Sequence, residues 1–160
     1  MGIRYYAYPI DVALVDVARA SPRQFMSRDP LLDAWGPVDE RPPMLYLDKC
    51  WREFQLLFGD FNGRTPRPAL ALVEGYPVMH SEGWDSHIAV LDADQVAEVG
   101  TDLGSVTEDD VREMLTPDGG AYPQDGFDGE LGYVMQYLRA AQEFTALVAG
   151  KGQGLVYLIG

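Results

Sequence analysis

An α/β domain is the fold class this sequence predicts, on three observations. The chain has 160 residues, 47% of them apolar and 23% charged, which is the size and composition of one globular domain over residues 1–160. Short runs rich in aromatic or β-branched residues stand near both ends and at residues 87–92. Between them lie segments whose apolar residues repeat at helical spacing. A chain of this length buries roughly 70% of the surface its unfolded form exposes, so it needs no staples to fold.

The elements follow in order. "GIRYYAYP" alternates as a strand, with Ile3, Tyr5 and Ala7 on one side and Arg4, Tyr6 and Tyr8 on the other. Pro9 suits a first helical turn, and "PIDVALVDVARA" carries Ile10, Ala13, Leu14, Val17 and Ala18 at helical spacing. Residues 21–43 hold Pro22, Pro30, Pro37, Pro42 and Pro43, which predicts an irregular packed connection around Phe25, Leu31, Leu32 and Trp35. "LDKCWREFQLLFG" is the best helix of the first half, with Leu47, Cys50, Trp51, Phe54, Leu57 and Phe58 as one stripe and Gly59 as its stop, in the left-handed geometry that costs a glycine little.

"PALALVEG" is a short apolar segment whose pattern fits strand or helix. "HIAVLD" is a strand, after which Asp92 caps the helix "ADQVAEVG" and Gly100 ends it. "SVTEDDVREML" is a second helix with Thr107 at its N-cap and Asp110 three residues on. "TPDGGAYPQDGFDGE" is a Gly/Pro/Asp-rich loop, with Asp128 as the cap of the helix that follows. That helix, "ELGYVMQYLRAAQEFTALVAG", has two apolar stripes and is therefore packed on more than one side. "LVYLIG" closes the chain as an apolar, central strand.

In this order and spacing, "MGIRYYAYPIDVALVDVA", "LDKCWREFQLLFG", "HIAVLDADQVAEVGTDLGSVTEDDVREML", "AYP" at 121–123 and the stretch from Leu131 to Gly160 resemble the YfbM-like family of small bacterial proteins. The resemblance covers most of the chain and implies a compact single domain with helices packed around a mixed β-sheet. It implies no reaction, cofactor or catalytic residue. The histidine pair described below departs from the family pattern.

Charge narrows the partners. Twelve basic against 25 acidic residues give a net charge of −13, a field that repels nucleic acid and anionic lipid and favours a basic protein partner. The single cysteine, Cys50, allows no internal disulfide and fits a reducing compartment. The first apolar run is interrupted by Asp11 and Asp16, so no secretory signal or membrane span is expected. Tyr6 stands where a myristoylation signal needs Ser or Thr, and the cytoplasm is the expected location.

"MHSEGWDSH", residues 79–87, holds both histidines. As metal ligands, His80 and His87 have a spacing outside the compact zinc patterns, with Glu82 and Asp85 as the only nearby partners. Cys50 lies in an apolar stripe, so neither metal nor cofactor is expected. For nucleophilic catalysis the stretch offers Ser81, Ser86 and Asp85 beside the imidazoles, but sequence neighbours rarely align as a triad. The acids of "PQDGFDGE" do not have calcium-loop spacing. A polar surface loop anchored by Trp84 is the plainer reading, with His80, Glu82, Trp84, Asp85 and His87 as candidate pocket residues. Trp51 and Phe144 read as core, whereas Tyr133 and Tyr137, one turn apart, are interface candidates.

Two functions follow. The first is a small acidic protein-binding module, for instance an immunity protein neutralising a basic toxin. The alternative is a small-ligand-binding protein or enzyme using the 79–87 loop. The sequence leaves the oligomeric state open, a homo-oligomeric structural protein included.

Overall fold

The structure is a computed structural model that describes residues 2–60, 63–116 and 124–160. At its centre β1 (Tyr5–Ile10) and β6 (Gly154–Ile159) pair antiparallel along their whole length. β2 (Leu45–Asp48) flanks β1, and β5 (His87–Leu91) flanks β6, giving a four-stranded sheet of order β2-β1-β6-β5. All three pairings are antiparallel rather than of mixed direction. β3 (Val78–His80) and β4 (Gly83–Asp85) form a separate hairpin. Its "MHSEGWD" sequence is a two-residue turn between short strands, not the loop expected.

The strand period of two sorts side chains into two cores. Tyr5, Ala7, Leu155, Tyr157 and Ile159 enter the larger one, with α3 (Trp51–Phe58), α4 (Ala93–Gly104), α5 (Glu108–Leu115) and α6 (Gln124–Gly150). Tyr6, Tyr8, Ile10, Val156 and Leu158 enter the smaller one, under α1 (Val15–Ala20) and α2 (Pro30–Trp35). The sheet is thus covered on both faces, and every residue of β6 is buried. Both the alternation of β1 and the central place of β6 are as expected. Among the described residues no helix is long and apolar enough to cross a membrane.

Five local expectations are corrected. Pro9 continues β1 instead of opening a helix, and α1 begins only at Val15. Arg4 and Gly160 exchange backbone bonds of 3.0 and 2.9 Å, so Pro9, an odd number of residues on, turns its nitrogen toward the β2 side, past Leu45 where β2 ends. Its missing N–H therefore costs no ladder bond. Leu47 and Asp48 belong to β2, not to the helix, and Leu47 reaches the core from the strand. Gly59 ends α3 with extended backbone rather than a left-handed one, and a Cβ there would stand 2.5 Å from the Gln55 carbonyl oxygen.

α4 runs through Gly100 to Gly104 because Val96, Val99 and Leu103 continue one buried stripe. α6 starts a turn and more before Glu130, where Phe127 extends the stripe of Leu131, Val134 and Leu138, so Asp128 lies within the helix. The other two expected caps are present as reciprocal boxes, Asp92 with Gln95 and Thr107 with Asp110. The "AYP" landmark lies outside the described residues with the rest of 117–123, and the remainder of the expected loop, from residue 124 on, is helix.

Two glycines separate by their surroundings. A Cβ on Gly100 would meet the Thr145 carbonyl of α6 at 3.5 Å, an ordinary contact. Gly100→Ala is therefore expected to stabilise the fold by about 0.5–1 kcal/mol through helix propensity. Gly75 has φ +103°, and a Cβ there would run into the His87 ring. Gly75→Ala is expected to destabilise by about 1–3 kcal/mol or more. Urea unfolding of the two variants beside the parent checks both signs.

Candidate functional site

The 79–87 stretch does not gather its polar residues. Opposite residues of a hairpin share a face, so Met79 and Trp84 lie on one side and Val78, His80 and Asp85 on the other. His80 Nε2 is 3.8 Å from an Asp85 carboxylate oxygen, and its Nδ1 accepts the Glu82 amide at 3.3 Å. Both side chains are well exposed, and Glu82 sits at the turn. Trp84 is half-buried. His87 belongs to another sheet: it opens β5, packs on Gly75, and lies 6.0 Å from the Tyr157 ring. Among the described residues no serine hydroxyl bonds either imidazole, and no three His, Cys, Asp or Glu side chains converge as a metal site.

A denser polar centre lies at the other edge of the sheet. The β1–β2 register shifts between Tyr5 and Tyr6, and Asp48 at the end of β2 has φ +48°. Left-handed backbone is uncommon away from glycine, though aspartate tolerates it. The carboxylate accepts Arg4 Nε at 2.9 Å, the Tyr46 hydroxyl at 3.0 Å and the Tyr133 hydroxyl at 3.4 Å. Arg4 also donates to the Gly2 carbonyl and stands 5.8 Å from the Trp35 ring centre. Trp35 Nε1 donates to the Tyr46 hydroxyl at 3.4 Å. Tyr137 meets Tyr133 edge-on at 5.1 Å and Tyr46 at 6.4 Å, while Tyr6 stacks on Tyr46.

Burial first, then the neighbouring Tyr46, pushes the Tyr6 hydroxyl up to about 12. Burial and the Asp48 charge push Tyr137 up to about 12, and the same two causes raise Tyr133. These hydroxyls stay protonated at neutral pH and act as donors and packing surfaces, not as bases. Tyr133, one of the two expected interface residues, spends its hydroxyl on Asp48. The centre is a latch joining β1, β2 and α6.

The third feature is charge. Between Arg67 and Arg112 the chain has ten acidic residues and no Lys or Arg. The remainder, with 15 acids against 12 bases, is close to balanced. The acidic stretch builds the hairpin, β5, α4 and the start of α5, so ten of the 25 acids lie on consecutive elements that carry no Lys or Arg of their own. Arg19 reaches Asp92 at 3.0 Å and Arg67 reaches Asp102 at 3.0 Å, but Glu74, Glu82, Asp94 and Glu98 are exposed and make no ion pair among the described residues. Beside these acids Tyr76, Val78 and Met79 are about two-thirds exposed (67%, 66% and 66%). Tyr76 and Met79, with Ile3, Trp51 and Gln55, line a cleft of about 480 Å³. Averaging charge over the whole chain conceals this stretch; counting Lys and Arg in windows would have located it.

Cys50 is fully buried, and burial pushes its thiol far up, so it behaves as a small apolar side chain. Glu53 on α3 has a buried oxygen with no hydrogen-bond partner. Burial chiefly, with help from Glu130, holds its carboxyl above the usual range. A carboxyl whose folded pKa is raised adds full stability below its unfolded pKa and loses it as pH rises through the folded value. Glu53→Gln is therefore expected to stabilise at pH 7, and the gain should vanish below about pH 4. Asp48→Asn keeps the backbone preference but removes the charge facing half-buried Arg4, at an expected cost of about 1.5–3 kcal/mol. Chemical denaturation across this pH range reads both.

The comparisons agree with this fold. The structure is similar to "a Protein of Unknown Function YfbM from Escherichia coli", with a TM-score of 0.62 at 14% identity, over 99% of this chain and 100% of that one. At that identity the likeness is one of fold. No curated protein matches the chain. The family described as "Domain of unknown function (DUF1877)" matches residues 1–158. The chain belongs to this YfbM-like family, whose members share a domain of unknown function.

Proposed function

We propose that this protein is a protein-binding module, a small acidic bacterial protein of the cytoplasm that captures a basic protein partner, as an immunity protein would capture a basic toxin. The observation that carries the reading is the segregated charge: ten acids and no Lys or Arg from residue 68 to residue 111. A surface field of one sign raises the rate of encounter with an oppositely charged partner by about 10 to 1,000-fold. The same field disfavours nucleic acid and anionic membranes. Charge alone gives little lasting affinity. Tyr76 and Met79 supply exposed anchors of the kind that hold complexes together once water is displaced.

The alternative, a small-ligand site, draws support from the cleft of about 480 Å³ beside Trp51. Met79 is the member of the 79–87 stretch that reaches it. His80 and Asp85 stand on the opposite face of the hairpin, so an enzyme using these two side chains there has less support than a simple apolar binder.

Capture from bacterial lysate with the tagged full chain tests the first reading. A single basic protein held 1:1 at about 0.05 M salt and released at about 0.5 M is the expected result, since screening lengths shorten several-fold over that range. Neutralising Glu74, Glu82, Asp94 and Glu98 to their amides should slow association, while Asp39→Asn with Glu40→Gln should not. A partner that is neutral, or one bound equally by both variants at all salt levels, overturns the reading.

A further inference from the structure

We propose that an extended, Lys- or Arg-bearing segment of the basic partner adds to the outer edge of β5 as a fifth strand of the main sheet. This rests on the reading that the partner is a basic protein and says where and how it docks. The ladder fixes which backbone groups are free. Arg4 and Gly160 exchange both of their backbone bonds. Counting by twos along β6 then aims the N–H and C=O groups of Leu155, Tyr157 and Ile159 at β5, where they meet Leu91, Ala89 and His87. The N–H and C=O groups of Ile88 and Val90 therefore point away from the sheet. No other strand pairs with β5, and among the described residues these groups make no other backbone bond.

The two edges of the sheet differ. Exposed edges are ordinarily blunted by short strands, bulges, Pro or charged side chains. β2 has four residues, a register shift and the left-handed Asp48. β5 has none of these devices: its pairing with β6 runs without a break from His87 to Leu91, and the strand reads His-Ile-Ala-Val-Leu. Its first four residues are half-exposed.

Charge names the occupant. Asp85 precedes the strand and Asp94 follows it, so each end of the edge has an exposed carboxylate nearby, while Asp92 is already paired with Arg19. Lys or Arg side chains near the ends of an added strand would meet them. A second copy of this chain would bring −13 against −13 and is the poorer fit. Main-chain bonds to Ile88 and Val90 supply affinity, and the flanking acids select a basic sequence.

The test uses the full-length protein and a synthetic peptide of about eight residues alternating Lys and Val, long enough for one strand. Amide hydrogen exchange is read by NMR with and without peptide. The expected result is salt-sensitive binding in which the Ile88 and Val90 amides become protected about tenfold, the size of one net hydrogen bond. Val90→Pro removes one outward donor, which an edge position tolerates, and should weaken binding about tenfold. Binding that leaves both amides unprotected overturns the edge site while leaving a basic partner in place. No binding of the peptide at low salt also overturns it, and the lysate capture then decides separately whether the partner is basic. Amides already protected in the free protein at twice the chain's molar mass would assign the edge to a second copy instead. If Val90→Pro fails to fold, the exchange of the parent protein decides alone.

Discussion

Burial of β6 on both faces is the constraint from which the rest of the molecule follows. All six of its residues lie inside, so each face of the sheet must be roofed. A strand with water on one side could be satisfied by a single layer of helices. Here two layers form, one from the helices around α6 and one from the α1–α2 region. The Tyr5 hydroxyl and one Glu53 oxygen are buried without a partner among the described residues. Other polar atoms drawn inward are matched: the Tyr157 hydroxyl donates to the Glu74 carbonyl at 2.7 Å, and Gln55 donates to the carbonyls of Val73 and Gly75. These bonds fasten the segment that leads into the hairpin. The acidic stretch is thus tied down through backbone carbonyls as well as through the Asp92 and Asp102 carboxylates.

What the sequence disclosed was what is decided locally. Caps at Asp92 and Thr107 involve partners three residues away, and both were legible. The alternation of Tyr5 to Tyr8 and the apolar run of β6 were equally plain, because the period of a strand is written in the residues themselves. Boundaries failed where packing outweighed propensity. Gly100 reads as a stop, yet stays helical because its stripe continues. Pro9 reads as a start, yet remains in a strand because the ladder on that side has already ended.

The Asp48 centre was not legible at all. Its partners Arg4 and Tyr133 are 44 and 85 residues away, and no short-range pattern marks an aspartate for left-handed backbone. The histidine pair misled for the converse reason. His80 and His87 are close in the chain, but a hairpin and a separate strand place them in different sheets. Nearness in sequence said nothing of nearness in space.

The two ends of the sheet's hydrogen-bonded middle are far apart along the chain: Tyr5 pairs with Ile159, and Ile10 with Gly154. Loop closure on that scale must be completed before either core is whole, and contacts of such separation slow folding. During synthesis the tyrosine-rich β1 can pair with β2 once residues 45–48 have emerged, but its other edge waits until residues 154–159 have followed. For that interval the edge of β1 that β6 will cover has no partner strand, the situation in which newly made strands engage chaperones or one another. An excess of negative charge on the intervening segments keeps nascent copies apart while they wait.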